Sequence, residues 1–170
     1  MGKWSRDEID GAFKHFMDVT DRRFLAGDSA DLEEWVQCFT EDVTFRPADG
    51  SAEKHGRDAV RDWIYRWSDS FLPNTHPMKF FPVPWYIVDE ERGWVVCEWM
   101  NTMEDPGDGS IHAEKVYSRL MYAGNNQWSF EEDIGNPMLI RDMMSEWMKA
   151  KIRCLGEAAE CKDIVPAETC

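Results

Sequence analysis

The sequence predicts an α+β domain in which a cone-shaped, curved antiparallel sheet wraps around N-terminal helices, with one further helix at the C-terminal end. Three observations carry this. Apolar stripes at helical spacing lie before Pro73 and again on one face of the last helix (Met143, Trp147, Met148), and segments with strand character fill Met78 to Asn136 between them. The stretch Gln127 to Asn136, QWSFEEDIGN, shows a period of two, with Trp128, Phe130 and Ile134 alternating with Gln127, Ser129, Glu131 and Asp133. That parity places Glu132 on the apolar side, where a carboxylate is costly unless it is paired, hydrogen-bonded or beside a cavity that uses it.

The helices come first. Ser5 and Glu8 form a capping box, and Ile9, Phe13, Phe16, Thr20 and Phe24 give the stripe of a helix from Arg6 to Leu25. Gly27 and Asp28 break it. Leu32, Trp35, Val36 and Phe39 mark a short second helix, and Val43 to Arg46 a brief strand. The polar loop from Ala48 to His55 ends at Gly56. Val60, Trp63, Ile64, Trp67 and Phe71 then give the stripe of a third helix.

Strands follow the breakers Pro73 and Pro77. Met78 to Val88 is aromatic and β-branched, with Pro82 and Pro84 confining it to an edge or a bulge. Asp89 to Gly93 is a hairpin turn, Trp94 to Met103 the second long strand, and EDPGDG (Glu104 to Gly109) a loop. Ile111 to Tyr122 is the third strand, AGNN a tight connection, and the QWSFEED stretch the fourth. Asn136 and Pro137 read as N-cap and first position of a last helix through Arg153. Residues 1–153 thus form a single domain. Residues 154–170 form a polar tail with too little apolar content to pack.

With 19 basic against 33 acidic residues, the net charge of −14 opposes binding to a phosphate backbone or an anionic lipid surface, so neither nucleic acid nor membrane is an expected partner. No bilayer-length apolar run and no signal-peptide core are visible, which predicts a cytoplasmic protein. The five cysteines form no CxxC pair, and their odd number predicts free thiols. Nine Trp, ten Met and nine Phe stand out in so charged a chain, and they suit either a core or a pocket for flat hydrophobic ligands. Metal ligation has little support, because His15, His55, His76 and His112 are scattered and His112-x-Glu114 is one weak pair. No GxGxxG, Walker or GxSxG motif is present, and no cofactor is expected.

The residues CFTEDVTF (Cys38 to Phe45), HGRDAVRDWI (His55 to Ile64) and YAGNNQWSFEED (Tyr122 to Asp133), with the sheet between them, resemble the nuclear transport factor 2-like superfamily, and within it the SnoaL-like branch. The resemblance extends from Ser5 to Arg153. It implies the cone fold but no single reaction, since that superfold hosts isomerases, dehydratases, cyclases, epoxide hydrolases, lyases and non-catalytic binding proteins. Pro47 stands where the resemblance implies the proton-shuttling Asp of steroid isomerases, and helix one has no Tyr for their oxyanion donor. Trp99, Asn101 and Asn136 stand where limonene epoxide hydrolases carry charged residues. Neither chemistry carries over.

On this match the inward positions are Val95, Cys97, Trp99, Asn101 and Met103, then His112, Glu114, Val116, Ser118 and Leu120, then Trp128, Phe130, Glu132, Ile134 and Asn136. His112, Glu132 and Asn101 are the catalytic candidates: an imidazole that gives and takes protons at neutral pH, a carboxyl in an apolar pocket, and an amide that steadies an oxyanion. The ordinary readings beside them are a solvated strand-start histidine, a carboxylate paired with Arg46 or Arg119, and a turn former. Arg46, Trp99, Trp63, Trp67, Phe16, Trp85, Glu114 and Asn136 are the substrate-binding candidates. For these the ordinary readings are core aromatics, a surface arginine, a solvated cross-strand glutamate and a helix cap. His76, in the crossing to the sheet, is read as a loop histidine.

The expected function is a cofactor-independent enzyme moving protons on a small aromatic or polycyclic substrate, by dehydration, isomerisation, cyclisation or carbon–carbon cleavage. The alternative is a non-catalytic module that binds a hydrophobic ligand or assembles with a partner. By parity Trp94 and Met100 lie on the outer sheet face, which predicts a homo-oligomer.

Overall fold

A computed structural model of the chain describes residues 2–25, 29–68 and 77–163, with the side chains of 2–22, 32–68 and 77–156. Four helices and a curved, unclosed mixed sheet make up the described residues. Helix α1 (Arg6–Leu25) has the predicted bounds and begins at Ser5, whose hydroxyl accepts from the Glu8 amide at 3.2 Å. Helix α2 (Ser29–Gln37) leads directly into β1 (Phe39–Arg46), which starts earlier than expected because Phe39 pairs with Trp128. A two-residue strand β2 (Lys54–His55) lies inside the stretch read as loop, and α3 (Arg57–Ser68) follows.

The predicted strand Met78 to Val88 is two strands, β3 (Met78–Phe80) and β4 (Trp85–Asp89), both pairing with the same edge of β5 (Trp94–Met103). Pro82 and Pro84 cause the break, since neither has an amide to give to the ladder. The Pro82 carbonyl still accepts from the Met100 amide at 2.9 Å and holds the connection against the sheet. Strands β6 (Ala113–Gly124) and β7 (Gln127–Ile134) are joined through Asn125 and Asn126, at φ of 54° and 57°, a left-handed pair suited to a two-residue hairpin. Helix α4 (Pro137–Asp163) starts at the expected cap, where the Asn136 side chain accepts from the Met138 amide at 3.0 Å. It continues past Arg153 into the segment read as a tail.

The strand order is β2-β1-β7-β6-β5-β3, with β4 also on β5. The sheet is mixed, not wholly antiparallel as predicted, because β1 and β7 run parallel. A parallel neighbour needs a long crossover, and everything from β2 to β6 supplies it. The core fills the concave side. Trp128, Phe13, Phe16, Phe39 and Phe45 are fully buried there, and Phe13 and Phe16 of α1 each meet Trp99 and Trp128 at 6.1 to 6.2 Å between ring centres.

Helix α4 is fixed to the loop before β6. The Trp147 indole donates to the Glu104 carbonyl at 2.7 Å, and Arg153 pairs with Asp108 at 2.6 Å. Among the described residues no helix is long and apolar enough to cross a membrane, and Cys38, Cys97 and Cys154 are free thiols. Cys161 and Cys170, the end of the tail and His76 lie outside the described side chains.

Candidate active site

Between the inner sheet face and the four helices lies a cavity of about 310 Å³ that is open to solvent. Phe16, Trp35, Trp63, Trp67 and Trp99 give it aromatic walls, and Ile140 and Met144 of α4 border it. Phe16 lies stacked against Trp35 at 6.0 Å, and Trp63 packs on Phe45 at 4.8 Å. Gly135 brings α4 close to the sheet: a Cβ there would stand 3.0 Å from Val116 and 3.6 Å from Ile140.

The carboxylates of β7 that reach this cavity are Glu131 and Asp133, not Glu132. The cause is a β-bulge. Tyr122 pairs with Trp128 and Met121 with Phe130, so Ser129 is an extra residue in β7, and the parity of everything after it is inverted. Glu131 then sits opposite the buried Leu120 and is itself only 4% exposed. Asp133 sits opposite Ser118, whose hydroxyl donates to it. Two carboxyls on alternate residues of one strand face share a side about 7 Å apart along the backbone. Their charges are felt deeper in the cone: burial first, then Glu131 and Asp133, push the Cys97 thiol far above its usual range.

Glu132 points outward, where Arg46 donates to one of its oxygens at 3.1 Å and Arg119 to the other at 3.0 Å. Arg46 is therefore also outside the cavity, shared between Glu132 and Glu53. Both guanidiniums lie over the Phe130 ring, at 5.3 and 5.0 Å, so Phe130 is outward too, as is Ile134 at 58% exposure.

The other expected residues divide. Asn101, Trp99, Trp63, Trp67 and Phe16 do line the cavity. His112 does not: it precedes β6, its ring against the Ser110 hydroxyl at 2.9 Å and its carbonyl accepting from Met103. Glu114 has the inward parity, opposite Asn101, but lies at the second position of β6, beyond the lining. Trp85 is 41% exposed on the outer face, its ring 6.1 Å from Tyr117, and Asn136 is spent as the α4 cap.

Besides Glu131 and Asp133, three further polar groups that the sequence did not single out as site residues line the cavity. Asp49, at the rim, accepts from the Trp63 indole at 3.0 Å and from the Ser51 amide at 2.8 Å. Burial pushes its carboxyl up, yet the Ser51 and Trp63 hydrogen bonds outweigh it and the group titrates below its usual value. Arg141 enters from the first turns of α4, and Thr20 from α1. A sign for Asp49 exists in the sequence, since ADGS in a polar loop is an Asx-turn pattern. Thr20 lies on the apolar stripe of α1, as its spacing predicts, and borders the cavity from there. Among the described residues no group of three or more His, Cys, Asp or Glu is placed to hold a metal ion.

The comparisons agree on the fold. In structure the chain is similar to a candidate isomerase from Bacillus subtilis, at 14% identity over 82% of this chain and 94% of that one, with a TM-score of 0.61. It is also similar to a nuclear transport factor 2-like protein from Anabaena variabilis (14%, 80% and 95%, TM-score 0.59). A third similar structure is SalBIII, an epoxide hydrolase/cyclase-like enzyme of pyran ring formation in the polyether salinomycin (12%, 79% and 95%, TM-score 0.56). No curated protein matches the sequence. The model of the SnoaL-like domain matches residues 16–136, from the cavity-lining Phe16 to the α4 cap, and the chain belongs to that family, with the nuclear transport factor 2-like fold.

Proposed function

We propose that the protein is an enzyme that moves protons on a small, largely aromatic or polycyclic substrate bound in this cavity. The observation that carries the reading is the inward pair Glu131 and Asp133 in the lining of an aromatic-walled chamber. Carboxyls in such surroundings serve as general acid and base when one carries the proton and the other accepts one. The aromatic walls hold a flat molecule and exclude water from the reacting carbon. Asn101, on the same chamber wall, donates to an oxygen on which charge develops. Elimination, isomerisation and ring closure each need these parts, and the isomerase and cyclase-like enzymes among the similar structures support that class. His112 and Glu132 have no part in this reading.

The second reading, ligand storage without turnover, draws on Asp133 being engaged by Ser118. A thermal-shift screen of aromatic and polycyclic ketones, alcohols and phenols, followed by product analysis of each stabilising compound, separates the two. Turnover of a stabilising compound supports the enzyme. Stabilisation by many such compounds with product from none favours storage, and stabilisation by none contradicts both.

A further inference from the structure

Thr20 has a hydroxyl that is buried, 3% exposed as a residue, borders the cavity and, among the described residues, meets no hydrogen-bond partner. A buried hydroxyl left in that state weakens the fold, and a valine of the same shape does not carry the penalty. The group has no structural use to offset this. Its neighbours show what it faces. Arg6 of α1 reaches the Val88 carbonyl, Val88 pairs with Val95 of β5, and Phe16 of α1 touches Trp99 of β5, so helix and strand run alongside in the same direction. Thr20 is one helical turn beyond Phe16, and Asn101 is the next inward position beyond Trp99. Both therefore stand towards the same end of the chamber.

We infer that Thr20 is a specificity-determining residue whose hydroxyl, beside the Asn101 amide, receives a carbonyl oxygen of the substrate. This rests on the cavity being the substrate site, as proposed above. The chemistry of the lining narrows the ligand. Glu131, Asp133 and Asp49 offer carboxylate oxygens, so an acceptor oxygen on the ligand is met by the Arg141 guanidinium on the α4 side or, on the side of α1 and β5, by the neutral donors Thr20 and Asn101. The ligand class is a flat apolar molecule bearing a ketone or ester carbonyl, with its acidic carbon turned towards the carboxyl pair.

The test compares 1-tetralone with its hydrocarbon counterpart tetralin, followed by quenching of the tryptophan fluorescence, in the full-length protein and in Thr20→Val and Thr20→Ser. The expected result is a preference for the ketone of about tenfold or more, lost in Thr20→Val and kept in Thr20→Ser. Thr20→Val is also expected to melt at a higher temperature, showing that the lost preference is not a folding defect. Equal binding of the two compounds to the native protein, binding of neither, or an intact preference in Thr20→Val would overturn the assignment. Turnover in Glu131→Gln and Asp133→Asn decides the carboxyl chemistry separately, so failure of one reading is distinguishable from failure of the other.

Discussion

Arg119 donates to Glu132 at 3.0 Å across the outer face of β6 and β7, and the same register turns Glu131 and Asp133, on either side of Glu132, into the cone. The bulge at Ser129 and this ion pair together decide which carboxyls belong to the cavity. An outer pair cannot slip by one residue without taking two carboxylates out of the cavity and putting one in.

Glu132→Gln leaves Arg46 and Arg119 facing a neutral group. Both arginines are partly exposed, so solvent screening keeps the loss small. The expected outcome is a small fall in the denaturant midpoint with ligand binding unchanged. A loss of binding would place Glu132 in the site.

Deletion of Ser129 makes Trp128 and Phe130 consecutive opposite Tyr122 and Met121, so the strand pairs without a bulge and Glu131, Glu132 and Asp133 keep their native sides. The expected outcome is a folded protein with a cooperative unfolding transition and ligand binding retained, measured by equilibrium unfolding and thermal shift. A deletion variant without a cooperative transition would contradict the assignment of Ser129 as the extra residue.

This bulge also marks where sequence reasoning stopped. The strand itself, the Asn136 cap, the bounds of α1 and β5 and the inward parity of Trp99 and Asn101 were all legible, because period and capping chemistry are local properties. A bulge leaves no such trace when the residue inserted is a serine, which suits either face. Parity counted from Trp128 was right at Trp128 and inverted from Phe130 onwards. The split of Met78 to Val88 was signalled by its prolines, whereas β2 is too short to show a period. His112 was placed by extending β6 backwards beyond the first residue that actually pairs.

Asp49 provides a pH test. Its carboxyl titrates below the ordinary value of 3.8, so it adds stability that is fully present above that pH and is lost as pH falls through its lower folded value. Native protein should lose more stability than Asp49→Asn on acidification from pH 5 towards pH 2, measured by urea unfolding, and Trp63→Phe should narrow the difference. Parallel stability curves for native and Asp49→Asn would show that the Trp63 and Ser51 contacts do not favour the ionised form.

The outer sheet face carries Trp85, Ile87 at 61% exposure and Val96 at 37%. We propose that this face joins copies of the chain. Light scattering coupled to gel filtration should find an oligomer, and the double variant Ile87→Glu, Val96→Glu should run as a folded monomer. A monomeric native protein at micromolar concentration would contradict the assignment.

Turnover by Glu131→Gln, Asp133→Asn and Glu132→Gln, on the first compound the native protein converts, bears most directly on the proton-transfer site. Replacing either inward carboxyl should lower kcat by about 10²–10⁴-fold with the compound still bound, while Glu132→Gln keeps native turnover. Full activity in both inward variants, or its loss only in Glu132→Gln, would contradict the account.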